Sequence, residues 1–176
     1  MKKHEFLQKI GVTKEPQAMS NSLTSAVQHN PTYTRNLGTR DRERIRARWA
    51  SLIRNVSPQY NSHVNDAVHV QNISSICDVL TSEFSPFLRG QRFRFGTSQK
   101  ALNLYLKFFW CLDEIKTPPP HCPVDRTVLT KAGIVGNWTQ LDSVELYMQW
   151  ISKLRAYASK NGYTVLQEWE LAIWDG

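Results

Sequence analysis

Two side chains in this sequence stand where reactive groups are useful. Lys100 opens an almost wholly apolar segment, Ala101 to Ile115, and Asp125 opens a later helical pattern ending at Lys131. A lysine is a nucleophile only as the neutral amine, and apolar surroundings disfavour the ammonium. A carboxylate at a helix N-terminus is held ionised by the backbone dipoles, which suits it to moving protons or stabilising positive charge. Each residue also has a plainer reading. A lysine in a first helical turn commonly snorkels to water. An aspartate before an apolar run is most often an N-cap. Lys107, two turns along and more deeply flanked by rings, is the rival nucleophile.

Around these residues the chain has a distinct order. A glycine turn, Phe95-Gly96-Thr97-Ser98-Gln99-Lys100, leads into the apolar helix, with Thr97 or Ser98 as its N-cap. At about 100° per residue, Lys100, Asn103, Lys107 and Glu114 share one narrow stripe, which peeks at solvent or lines a cleft. A proline-rich crossing, Pro118-Pro119-Pro120-His121-Cys122-Pro123, then separates the lysine from the aspartate.

The remaining segments are helical too. Helices are predicted over residues 3–11, 17–29, 39–56 and 65–84. Arg92-Phe93-Arg94-Phe95 reads as an extended loop or a short turn. Asp142-Ser143-Val144-Glu145 resembles a capping box with the aspartate as cap, with Leu141 and Leu146 as its staple. That helix runs to about Ser159, and a last one covers Thr164 to Ile173. The fold class is all-α: a compact protein of seven to eight helices, one domain of 176 residues, in which residues 1–60 could form a subdomain.

Hydrophobic content of 41% describes a globular chain. The net charge of +7 favours a polyanionic partner, most simply nucleic acid, with anionic membrane next. Arg40, Arg42, Arg44, Arg46, Arg48 and Arg54 crowd one helix, as a solvated face or a phosphate contact. Three scattered cysteines, without a CxxC pair, suggest neither a disulfide framework nor a thiolate zinc site. A cytoplasmic monomer is expected, with no signal peptide, membrane span or cofactor.

The run from Phe95 to Lys100, a helix, and then Cys122-Pro123-Val124-Asp125-Arg126-Thr127-Val128 together resemble the helix-hairpin-helix DNA glycosylase superfamily. The likeness is closest to its compact 8-oxoguanine glycosylase-like members that lack an iron–sulfur cluster. It covers about thirty-five residues. Ser98 stands where the family has a second hairpin glycine, and the proline crossing lengthens the lysine-to-aspartate segment. The resemblance implies DNA as partner, Lys100 as the nucleophile that displaces a damaged or modified base and forms a Schiff base, and Asp125 as its charge-stabilising or proton-moving partner.

A DNA role would also need a grip on phosphate and a pocket for a flipped base. Phosphate contacts are expected from Arg89, Arg92, Arg94, Lys107 and Arg126, and from Gly96, Thr97, Ser98 and Gln99, whose turn could offer backbone N–H groups. Tyr105, Phe108, Trp110 and Trp138 are candidates to hold the base. His121 and Cys122 near Asp125 form an incomplete set that matches no standard zinc spacing. His4, His29, His63 and His69 are scattered and carry no reading.

Overall fold

The computed structural model describes residues 1–174. Among these residues it contains eight α-helices and four short 3-10 turns. The helices are α1 (Lys3–Ile10), α2 (Glu15–Val27), α3 (Thr39–Val56), α4 (Asp66–Phe84), α5 (Phe95–Cys111), α6 (Arg126–Lys131), α7 (Val144–Lys160) and α8 (Leu166–Ile173). The described residues form no strand, only an isolated antiparallel bridge between Tyr33 and Leu88. No helix is long and apolar enough to cross a membrane. The all-α expectation therefore holds.

Local chemistry accounts for most boundaries. Gly11 caps α1 in the left-handed region at φ 73°, where glycine has no Cβ to clash. The Asn65 side chain accepts from Val68 N at the start of α4, and Asp125 accepts from Val128 N at the start of α6. Along α3, Ile45, Trp49 and Ile53 recur at helical spacing and are wholly buried. One core, running in sequence from Phe6 to Leu171, takes residues from every helix. Helix α5 lies at its centre and packs on α1, α2 and α4.

Two expected boundaries move, for one physical reason. Helix α5 begins at Phe95, so Thr97 and Ser98 lie inside its first turn and cap nothing. Its leading N–H groups are satisfied from far along the chain: Phe95 N donates to Asp142 Oδ1 at 3.1 Å and Gly96 N to Leu141 O at 2.9 Å. Asp142 is thus engaged with α5 and also pairs with Arg92. The cap of α7 is Ser143, whose hydroxyl accepts from Leu146 N at 3.1 Å. The expected staple fails with it, because Leu141 is buried while Leu146 is exposed. The sharp turn of this region lies earlier than the glycine at 96, at Gly90 and Gln91, whose φ values are 68° and 57°.

A chain of polar groups crosses the core beside α5. Tyr60 Oη and His69 Nδ1 are 2.7 Å apart, and His69 Nε2 lies 2.8 Å from Asn103 Oδ1. Asn103 Nδ2 donates to Tyr147 Oη at 3.0 Å, His121 Nδ1 lies 2.9 Å from Tyr147 Oη, and His121 Nε2 lies 3.1 Å from Asp66 Oδ1. Arg155 closes the chain with two bonds to Asp66, at 2.6 and 2.7 Å. Asn103 Oδ1 and Asp66 accept only, so each histidine donates from Nε2. Burial disfavours the charged ring at both, which matches a tyrosine O–H donating to each Nδ1.

Burial holds His69 far below the ordinary histidine value of 6.5 and His121 below it, although Asp66 partly opposes the shift at His121. A depressed histidine stabilises the fold fully above the unfolded value. That contribution is lost as pH falls, because the unfolded chain then binds more protons. Urea denaturation is expected to show lower stability at pH 5.5 than at pH 7.5, by about 1–2 kcal/mol. His69→Gln should flatten that dependence. Glu170, whose carboxyl burial pushes up, contributes with the opposite sign above its unfolded value and reduces the net slope.

Candidate functional site

The end of α2, the exposed side of α5, the start of α6, the turn at Trp138 and the end of α8 enclose a cleft of about 470 Å³. Lys100 and Asp125 both line it. Lys100 Nζ lies 3.2 Å from Asp125 Oδ2, and the two side chains are 14% and 27% exposed. The second carboxylate oxygen, Oδ1, accepts from Val128 N at 3.1 Å. Asp125 is therefore both a helix cap and the partner of Lys100, one oxygen for each. The Lys100 ammonium also sits over the Trp138 ring, 4.5 Å from its centroid, a cation–π arrangement.

Backbone packing fixes this geometry. A Cβ on Gly96 would lie 1.9 Å from the Trp138 carbonyl oxygen. The glycine is needed here so that the Trp138 turn can lie against α5 and bring its indole over Lys100. Gly96→Ala is expected to cost about 1–3 kcal/mol as the turn is driven outward, read as a lowered urea midpoint. Gln99 supplies a second constraint. Its side-chain amide donates to Val124 O at 2.7 Å and accepts from Val124 N at 3.2 Å.

Lys107 lines the same cleft from below. Its Nζ lies 2.6 Å from Glu170 Oε2, with the side chains 1% and 6% exposed, though the angles fall short of a hydrogen bond. The ammonium also faces the Phe6 ring at 3.9 Å. Ser25, Gln28 and His29 from the end of α2, and Trp174 beyond α8, complete the walls.

Several expected phosphate contacts are placed elsewhere. Gly96, Thr97, Ser98 and Gln99 are buried, and the N–H groups of Gly96, Thr97 and Ser98 donate to Leu141 O or Arg94 O. The dipole of α5 already meets a carboxylate, Asp142. Those N–H groups are thus already bonded within the protein. Lys107 is too deep for a phosphate. Arg92 is paired with Asp142, and Arg94 is half-buried and donates to Thr139 O at 3.1 Å. Arg89 and Arg126 are exposed, and Arg126 borders the cleft. On α3, Arg44, Arg48 and Arg54 are held by Asp41, Glu83 and Glu15. Arg40, Arg42 and Arg46 form no carboxylate pair among the described residues.

Of the aromatic candidates, Phe108 and Trp138 line the cleft. Tyr105 donates to Glu15 Oε1 at 3.2 Å, and Trp110 lies under Lys3 at 4.4 Å; neither borders it. The polar stripe of α5 divides as well. Lys100 and Lys107 face the cleft, whereas Asn103 turns into the buried chain of histidines and tyrosines. No group of three or more histidine, cysteine or acidic residues with metal-binding geometry occurs among the described residues. The three thiols are buried, and burial pushes Cys111 up to about 12 and raises Cys77 and Cys122 also. Buried thiols with raised pKa are poor nucleophiles at neutral pH.

Sequence reasoning missed Glu170. The signal was present: Leu166, Trp169 and Ile173 define the apolar face of α8, and Glu170 falls on that face at the i+4 position. An acid at a core position needs a buried partner, and Lys107 is that partner. His69 and His121 were missed for a different reason, since their partners lie on other helices and no spacing reveals them. Comparison with protein-family models, curated proteins and solved structures returns no match.

Proposed function

We propose that this chain is a DNA glycosylase with an associated lyase activity, acting on a damaged or modified base through Lys100 and Asp125. The observation that carries the reading is the 3.2 Å approach of Lys100 Nζ to Asp125 Oδ2 in the wall of one cleft. The residues are 25 apart in sequence, and Nζ donates directly to Oδ2. A nucleophilic amine beside a proton acceptor, partly shielded from water, is the arrangement that amine catalysis on a sugar requires.

In this reading Asp125 accepts the proton that Nζ must lose. The nitrogen lone pair then forms a bond to C1′ of the deoxyribose. The C1′–N bond to the base breaks, and its electrons leave with the base, which takes up a proton. One of the two protons left on Nζ then passes through Asp125 to O4′; the C1′–O4′ bond breaks with its electrons going to O4′, and the nitrogen lone pair forms the C1′=N bond of an iminium on Lys100. Loss of a C2′ proton from that species expels the 3′-phosphate, which cleaves the strand.

The cleft suits a flipped base in size and lining. Trp138 and Phe108 supply aromatic surface. Glu170 offers an acceptor and Lys107 a donor, which together match a base edge carrying N–H beside C=O. An 8-oxoguanine-like base or a hypermodified base of phage DNA fits that description, the first by family resemblance. Arg126 at the rim and Arg89 outside it are free to meet phosphates.

The test is release of free base from duplexes that each carry one modified base, measured by chromatography. Release from at least one duplex supports the reading. Salt-sensitive binding without release from any of them would make the chain a nucleic-acid-binding protein that uses Lys100 as a contact. Absence of both would leave the basic charge without a nucleic-acid role.

A further inference from the structure

We infer that Gln99 is the positioning residue of this site: its buried amide clamps Val124 and thereby sets the separation of Lys100 and Asp125. The kinetic part of this inference rests on the glycosylase reading; the structural part does not.

The bonding of Gln99 is unusually complete for one side chain. Nε2 donates to Val124 O at 2.7 Å and to Gly96 O at 3.0 Å. Oε1 accepts from Val124 N at 3.2 Å and from Asn103 Nδ2 at 3.1 Å. The residue is wholly buried. An amide that both donates to and accepts from one residue's backbone imitates the pairing of a strand. It therefore fixes Val124 in orientation as well as distance.

The placement of this clamp gives it a role beyond stability. Gln99 is one residue before Lys100, and Val124 is one residue before Asp125. The two reactive side chains hang from adjacent positions on the two sides of the clamp. Apart from the Lys100–Asp125 pair itself, the next tie between the segments among the described residues is Asn103 Nδ2 to Cys122 O at 3.1 Å, a turn further along α5. The proline crossing between them is long, so the approach of Asp125 is not set by chain length. Asn103 also carries the clamp into the polar chain that ends at Asp66 and Arg155. The site is thus braced from behind by groups that never face the cleft.

Glutamine suits the task where its relatives do not. A glutamate can accept from Val124 N but cannot donate to Val124 O or Gly96 O as a carboxylate. A methionine matches the size and forms none of the four bonds.

The experiment compares wild type with Gln99→Met and Gln99→Glu in two ways. Single-turnover base release is measured beside the Kd for the same DNA. Gln99→Met is expected to slow release about 100-fold, the cost of a small misplacement of reacting groups, with Kd unchanged and a cooperative urea transition retained. Gln99→Glu should be intermediate. It should also shift the acidic limb of the pH–rate profile, because it places a second carboxyl beside Asp125. The second arm needs no activity: reductive methylation by limiting formaldehyde and borohydride, mapped by mass spectrometry, reports how freely each lysine amine reacts. Lys100 should label several-fold faster in Gln99→Met, with Lys107 unchanged. Equal labelling of Lys100 in wild type and variant would overturn the clamp. So would a release rate that falls only in proportion to the folded fraction, or a Kd that weakens in parallel. If wild type releases no base, the glycosylase reading fails and the labelling arm still decides the clamp.

Discussion

Lys100→Ala is expected to abolish covalent trapping on DNA and strand cleavage, and to slow base release by at least about 1,000-fold, equivalent to about 4 kcal/mol of barrier. The loss should be in the chemical step. Lys100 is only 14% exposed and its charge is already matched by Asp125, so it contributes little to the grip on phosphate, and Kd should change far less than rate. Lys107→Met is the necessary comparison. Lys107 lines the same cleft, but its ammonium faces Glu170 at 2.6 Å and the Phe6 ring at 3.9 Å. An amine enclosed in that way holds a place and does not attack. The methionine variant should keep the adduct and lose discrimination between bases. Trapping retained in Lys100→Ala and lost in Lys107→Met would exchange the roles of the two lysines.

The second large effect is on stability. Glu170→Leu leaves the Lys107 ammonium buried with the Phe6 and Trp174 ring faces as its remaining partners among the described residues. Removing one member of a buried pair costs about 3–5 kcal/mol, because the other charge stays desolvated. Stacking on Phe6 offsets part of that. For a chain of this size the loss lowers Tm by roughly 6–20 °C. Adding Lys107→Met to Glu170→Leu removes both charges, and the double variant should recover most of the loss. A double-mutant cycle in urea measures the coupling directly. A single variant as stable as wild type would mean that water reaches Lys107 Nζ freely, contrary to its 1% exposure.

The sequence carried the helices well where their ends are local. Gly11 and Asp125 each stop or start a helix through their own backbone or side chain, and the structure has them in those places. It failed where a cap arrives from elsewhere. The start of α5 is set by Asp142 and Leu141, more than forty residues away, so a search for Ser or Thr beside the first turn chose Thr97 and Ser98. The same fact removed the expected phosphate site, since the N–H groups in question were already bonded. The pairing of Lys100 with Asp125 was suggested by the family resemblance, and the structure brings the two side chains to 3.2 Å. The cause of that approach was not legible, because the Gln99 clamp, the Gly96 contact with Trp138 and the Lys107–Glu170 pair all join segments distant in sequence.

The most direct test of the account is location of the adduct. The protein is incubated with duplex DNA carrying a base that it releases, reduced with borohydride, digested, and mapped by mass spectrometry. The account expects a single deoxyribose-derived modification, on Lys100, and its disappearance in Asp125→Asn. A modification on Lys107 or on the N-terminal amine, or base release that yields no adduct, would contradict it.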